Sequence, residues 1–122
     1  MKILVIEDEP NNMMLMTIIL KKYGHEPIEA FTGEEGLEKV AASRPDLILM
    51  DIQLPGIDGL ETARRIRKME SMVDVPIIAV TSYTRADYME IISSVGCNGC
   101  LEKPIDPLTI MDTIIGMIKA TK

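Results

Sequence analysis

The chain has 122 residues, with 13 Lys and Arg against 19 Asp and Glu, a formal charge of −6 at neutral pH. Its 47% hydrophobic and 26% charged residues fit one globular domain, long enough to close a core without a disulfide or metal staple. The acidic balance, with three Tyr, one Phe and no Trp, argues against nucleic-acid binding, which needs basic clusters and stacking rings. The longest apolar run, Met13 to Leu20, is eight residues with Thr17 inside it, against roughly 20 for a membrane span. The apolar run Ile3 to Ile6 is too short for the core of a secretory signal. A cytoplasmic protein with protein or small-ligand partners is therefore expected.

In chain order, Ile3-Leu4-Val5-Ile6 reads as a strand covered on both faces. A helix over 10–23 follows, closed by Gly24 as a left-handed cap. A weaker strand, Pro27 to Ala30, leads to a helix over 33–43 that Thr32 and Glu35 open as a capping box. Leu47 to Met50 is the third strand, followed by a helix over 58–70. Ile77 to Val80 is the fourth, with a helix over 84–95 ended by Gly96. A poor fifth strand, Gly99 to Glu102, precedes a helix over 107–120 that Asp106 and Pro107 open. Strands alternating with helices predict an α/β fold on a parallel sheet. The units follow one another without a Gly, Ser or Pro linker, so a single domain over 1–122 without an output domain is expected.

Cys97 and Cys100 form one CxxC. Two thiols without a second ligand pair cannot complete a zinc site, and His25 is the only histidine. The pair leads into a strand rather than a helix N-terminus, so it lacks the dipole that stabilises a reactive thiolate. Buried structural cysteines are expected.

In an open parallel sheet, function collects where strands end. The first ends in Glu7-Asp8-Glu9, the third in Asp51, the fourth in Thr81-Ser82 and the fifth in Lys103-Pro104. If the first, third and fourth strands are neighbours, Asp8 and Asp51 stand side by side, and their repulsion calls for a cation between them. A hard divalent ion such as magnesium suits carboxylates that share it with phosphate oxygens. The Thr81 hydroxyl and the Lys103 ammonium are then phosphate partners. Any one such acid could merely cap a helix, but four suitable groups ending four strands point to a site.

The motifs Glu7-Asp8, Pro45-Asp46-Leu47-Ile48-Leu49-Met50-Asp51, Leu54-Pro55-Gly56-Ile57-Asp58-Gly59, Pro76 to Thr81 and Leu101-Glu102-Lys103-Pro104 closely resemble the response-regulator receiver family of two-component signalling, over the whole length. The resemblance implies a doubly wound, flavodoxin-like five-stranded sheet in order 2-1-3-4-5. It also implies that Asp51 accepts a phosphoryl group from a phosphohistidine on a histidine kinase or histidine phosphotransfer protein. Magnesium would be held by Asp8, Asp51 and the backbone carbonyl of Gln53, with Glu7 acting through water. Thr81 and Lys103 would contact the phosphoryl group, and the Lys103-Pro104 peptide would be cis. Rearrangement around Thr81 would alter a target-binding surface on the fourth helix, fifth strand and fifth helix. Beyond its own phosphorylation and slow dephosphorylation, no enzyme activity is implied.

One departure falls on the switch: Cys100 stands where the family usually has Tyr or Phe. Tyr83 offers a ring nearby, and with Gln53 it is expected to shield the phosphoryl group from water. On the first helix, a buried stripe of Asn12, Leu15, Met16, Ile19, Leu20 and Tyr23 would leave Met13, Met14 and Ile18 outward. With Pro104, these form a candidate docking surface for the phosphohistidine partner. A haloacid-dehalogenase-type phosphatase would need a second Asp where Gln53 stands. A nucleotide or flavin binder would need a phosphate loop where Glu7-Asp8-Glu9-Pro10 repels phosphate. A phosphate shuttle or sink without its own output target remains an alternative.

Overall fold

The computed structural model describes residues 1–120. The elements run β1 (Lys2–Ile6), α1 (Pro10–Lys22), β2 (Glu26–Ala30), α2 (Gly33–Ser43), β3 (Leu47–Asp51), α3 (Gly59–Arg67), a 3₁₀ turn (Glu70–Met72), β4 (Ile77–Thr81), α4 (Ala86–Ser94), β5 (Gly99–Glu102) and α5 (Ile110–Ala120). The five strands pair in parallel in the order β2-β1-β3-β4-β5, as the resemblance implied.

Alternating strand residues divide the interior into two layers. Leu4, Ile6, Ile48, Met50, Ile77 and Ala79 meet Val40 of α2, Ala63 and Ile66 of α3, and Ile92 of α4. Ile3, Val5, Leu49, Ile78 and Val80 face the other way, against α1 and α5. Both faces are covered, which is why β1, β3 and β4 read as unbroken apolar runs.

The expected helix signals work locally. The Thr32 hydroxyl accepts from the Glu35 N–H at 3.0 Å, and the Glu35 carboxylate accepts from Phe31. Gly24 and Gly96 take φ values of 82° and 101°, the left-handed conformation that ends α1 and α4 without a Cβ clash. Two boundaries move. The helix expected over 58–70 ends at Arg67 and passes into the 3₁₀ turn. The last helix starts at Ile110, because the Asp106 carboxylate holds the Leu108 N–H while its carbonyl accepts from Thr109 and Ile110, making a separate turn first.

The roll of α1 also differs from expectation. Its buried residues are Met13, Met16, Thr17, Ile19 and Leu20, so Met13 belongs to the core and drops out of the docking surface, while Leu15 and Tyr23 lie exposed. Thr17 reads as polar in the sequence. Its hydroxyl donates to the Met14 carbonyl at 3.0 Å, so it can be buried with its polar atom satisfied, and the buried face is rolled to include it.

At the N-terminal ends of the strands, the Arg67 guanidinium ties together three segments. Its N–H groups donate to the carbonyls of Met72, Val75 and Gly96 and to Asn98 Oδ1, at 2.7 to 3.0 Å. Asn98 Oδ1 also accepts from the Ile77 N–H at 2.9 Å, fixing the start of β4.

Candidate functional site

The opposite ends of the strands carry the chemistry. In the sheet register Ile6 lies beside Met50, Asp51 beside Val80 and Thr81 beside Glu102. Glu7, Asp51, Thr81 and Lys103 therefore emerge together from four separate segments. Glu7, Asp51 and Thr81 are buried, and Asp8 is exposed.

The Lys103 Nζ lies 2.8 Å from Asp51 Oδ2 and 3.3 Å from Glu7 Oε1. Asp51 Oδ1 accepts from the Gln53 N–H at 3.0 Å. Both carboxylate oxygens of Asp51 are thus fixed by donors. Glu7 Oε2 accepts from the Glu9 N–H at 3.0 Å, and the Glu9 carboxylate caps α1 through the N–H groups of Asn11 and Asn12. Glu9, read in the sequence only as one of an acidic run, is therefore the residue that fixes the start of α1.

Burial is the largest influence on Glu7 and raises its pKa, with the Asp51 charge acting the same way; the Glu9 N–H and Lys103 only partly oppose it. Burial works against the Lys103 ammonium, but the hydrogen bond and charge of Asp51, followed by Glu7, outweigh it and hold its pKa above the usual lysine value. One ammonium thus serves two buried carboxylates.

Glu7, Asp8 and Asp51 each place a carboxylate oxygen within 4.8 Å of the others. An all-oxygen, anionic donor set of this kind fits a hard divalent cation. A cavity of about 370 Å³ opens beside it, lined by the polar Asp51, Glu7 and Lys103 and by the apolar Leu15, Met16 and Ile105 among others.

The sequence matches the response regulator receiver domain over residues 3–115. The chain belongs to the response-regulator receiver family. It is 36% identical over 112 residues to the polar-differentiation response regulator DivK of Brucella anthropi, covering 92% of this chain and 91% of the relative. DivK of Brucella ovis matches at the same identity and coverage. Among solved structures, the chemotaxis response regulator CheY4 of Vibrio cholerae superposes with a TM-score of 0.92 at 28% identity, covering 95% of this chain and 97% of that one. A CheY-like receiver from Methanospirillum hungatei gives 0.88 at 26% identity, covering 98% and 94%. These are two-component response regulators rather than classical enzymes, and membership implies a kinase partner. Among the described residues, no helix is long and apolar enough to cross a membrane.

Against this receiver frame, the sequence-derived residues fall into place unevenly. Glu7, Asp8, Asp51 and Lys103 converge, and the Lys103-Pro104 peptide is cis, as the resemblance implied. Thr81 is fully buried, its Oγ1 accepting from the Tyr83 N–H at 3.0 Å. The Gln53 and Tyr83 side chains are exposed at the rim. Cys97 is buried and Cys100 half-buried, both as free thiols. Burial pushes the Cys97 thiol up to about 11 and also raises Cys100, which disfavours the reactive thiolate at both. Sequence reasoning missed Tyr88. Its ring lies 5.8 Å from that of Tyr83 in an edge-to-face pair, a contact that spacing alone does not reveal.

Proposed function

We propose that this receiver takes a phosphoryl group on Asp51 from a phosphohistidine of a histidine kinase or phosphotransfer protein. The observation that carries the reading is the Asp51 carboxylate, buried yet opening on the cavity, with one oxygen held by the Gln53 N–H and the other by Lys103. Attack by a carboxylate oxygen on phosphorus forms the acyl-phosphate P–O bond as the P–N bond to the imidazole breaks.

Asp8, Asp51 and the Gln53 carbonyl would hold magnesium, with Glu7 acting through water. The bound ion supplies charge neutralisation where carboxylates and phosphoryl oxygens crowd together. Lys103 then exchanges its contact with Asp51 for a phosphoryl oxygen. The Thr81 hydroxyl leaves the Tyr83 N–H and donates to another, so the segment after β4 repacks and changes the surface of α4, β5 and α5. A protein target reads that surface, and a cytoplasmic setting goes with such a kinase.

The exposed Met14, Leu15 and Ile18 on α1, together with exposed Pro104, make the docking face for the phosphohistidine partner. Leu15 also lines the cavity beside Asp51, so this face is continuous with the reacting carboxylate.

Incubation with magnesium and acetyl phosphate, followed by intact mass, tests the reading. One phosphoryl group is expected on the wild type and none on Asp51→Asn. An unmodified wild type at every magnesium concentration overturns it. Tyr83 and Gln53 shield the product from water, so Tyr83→Ala should lose its phosphoryl group several-fold faster, on the order of 1 kcal/mol in barrier. An unchanged decay rate removes Tyr83 from that role.

A further inference from the structure

Thr81 is fully buried and does not line the cavity beside Asp51, so its hydroxyl can donate to a phosphoryl oxygen only once its oxygen moves out of the bond it accepts here. That bond runs to the Tyr83 N–H at 3.0 Å. The backbone of Tyr83 can keep this position only while the segment between β4 and α4 is held in place. Thr84 makes one tether, its hydroxyl 3.2 Å from Glu102 Oε2, between exposed groups. The other is the ring of Tyr83, which is 54% exposed and whose aromatic contact is the edge-to-face pair with Tyr88, at 5.8 Å and 64°.

Tyr88 is anchored where Tyr83 is not. It lies in the first turn of α4 (Ala86–Ser94), half-buried, and packs against the layer that contains Ala79 of β4, with Cys100 of β5 as another half-buried member. Met89 of the same turn also packs half-buried against this layer, but α4 has no side-chain cap at its N-terminus and Ile92 is its one fully buried residue. Burial is the largest influence on the Tyr88 phenol and raises its pKa, as expected of a ring packed against the core layer.

These contacts form one line from the core to the site: the core layer holds Tyr88, Tyr88 holds the Tyr83 ring, and the Tyr83 N–H holds the Thr81 hydroxyl. We infer that Tyr88 is a positioning residue that keeps Thr81 in its resting bond and thereby restrains phosphoryl uptake at Asp51. Tyr88 touches no reacting atom and acts through Thr81 alone. The inference rests on Asp51 as the phosphoacceptor and adds to that reading the residue that sets how readily the site engages.

The test is a double-mutant cycle on the full chain, with rates of uptake from acetyl phosphate in magnesium read by intact mass. Tyr88→Ala should take up phosphate about fivefold faster than the wild type, which corresponds to ~1 kcal/mol, the size of one aromatic pair. Tyr88→Phe keeps the ring and should restore the wild-type rate. In a Thr81→Ala background, Tyr88→Ala should change nothing, an outcome that a merely structural role for the ring does not produce. A Tyr88→Ala rate equal to the wild type, an effect that survives Thr81→Ala, or equal effects of Phe and Ala each overturns the inference. If Tyr88→Ala does not fold, Tyr88→Leu takes its place in the same comparison. A wild type that takes up no phosphate at all refutes the phosphoacceptor reading instead, so the two failures are distinct.

Discussion

Lys103 and Arg67 sit at opposite ends of the same sheet, and their surroundings differ in kind. Lys103 places one ammonium between two buried carboxylates, at 2.8 Å from Asp51 and 3.3 Å from Glu7, with the Asp8 carboxylate close by. That end holds more negative charge than its cation can offset. Arg67 is half-buried among neutral acceptors, three backbone carbonyls and the Asn98 amide oxygen, which take up all its N–H groups. Burial lowers its pKa, and no carboxylate hydrogen-bonds to it. One end is closed and complete; the other is charged, incomplete and able to exchange partners. A site that receives a cation and a phosphoryl group, as proposed for this one, cannot be satisfied in advance, and the fold keeps its fully satisfied cation away from it.

Substituting the two cations separates these roles. Arg67→Met strips partners from carbonyls in the turn before β4 and the loop before β5, and should lower unfolding free energy by ~3 kcal/mol in urea melts. Arg67→Lys should recover only part of this, because an ammonium lacks the planar fork that reaches four acceptors. Lys103→Met leaves the buried Asp51 and Glu7 carboxylates without their cation, which should cost ~3 kcal/mol without magnesium, and magnesium should recover most of that loss by taking the place of the ammonium. A loss in Arg67→Met that magnesium recovers equally would show that the ends are equivalent, against the contrast drawn from their partners.

Magnesium sharpens the contrast from the other side. At a hundredfold excess over its dissociation constant, a bound ligand adds ~2.7 kcal/mol to stability. That increment should appear in the wild type and persist in Arg67→Met, because well-separated sites contribute independently. It should shrink strongly in Asp8→Ala. Calorimetric melts with and without magnesium measure both. A magnesium increment equally large in Asp8→Ala would move the ion away from the carboxylate cluster.

The two ends were not equally readable in the sequence. The charged end announced itself, because each of its residues interrupts or follows an apolar run at a strand terminus, and the parallel topology forces those termini together. The sheet order was legible by resemblance, and both of its covered faces showed as the apolar runs of β1, β3 and β4. The closed end left no such trace. Arg67 reads as one of several basic residues on α3, and its partners are backbone carbonyls, which every residue carries. Met13 misled for a related reason: burial of Thr17 depends on a bond to the Met14 carbonyl, which hydrophobic periodicity does not register. Tyr88 needed the fold to bring its ring to Tyr83 across an irregular segment.

The smallest effect probes how dry the closed end is. Cys97 lies between Gly96 and Asn98, both partners of Arg67, and burial pushes its thiol up to about 11 from an ordinary 9.0 even though the Arg67 charge pulls it down. Below pH 9 the thiol keeps its proton in both folded and unfolded chains, so no dependence arises. Between 9 and 11 the unfolded chain ionises first and is favoured, so the stabilising contribution falls as pH rises through the folded value. By pH 9.5 the wild type should have lost ~0.8 kcal/mol from this group relative to Cys97→Ala. Urea melts of the two proteins from pH 7.5 to 9.5 read this as a widening gap in slope. Parallel pH profiles would mean that water reaches Cys97, and the end of the sheet closed by Arg67 would then be as open as the end that holds Asp51.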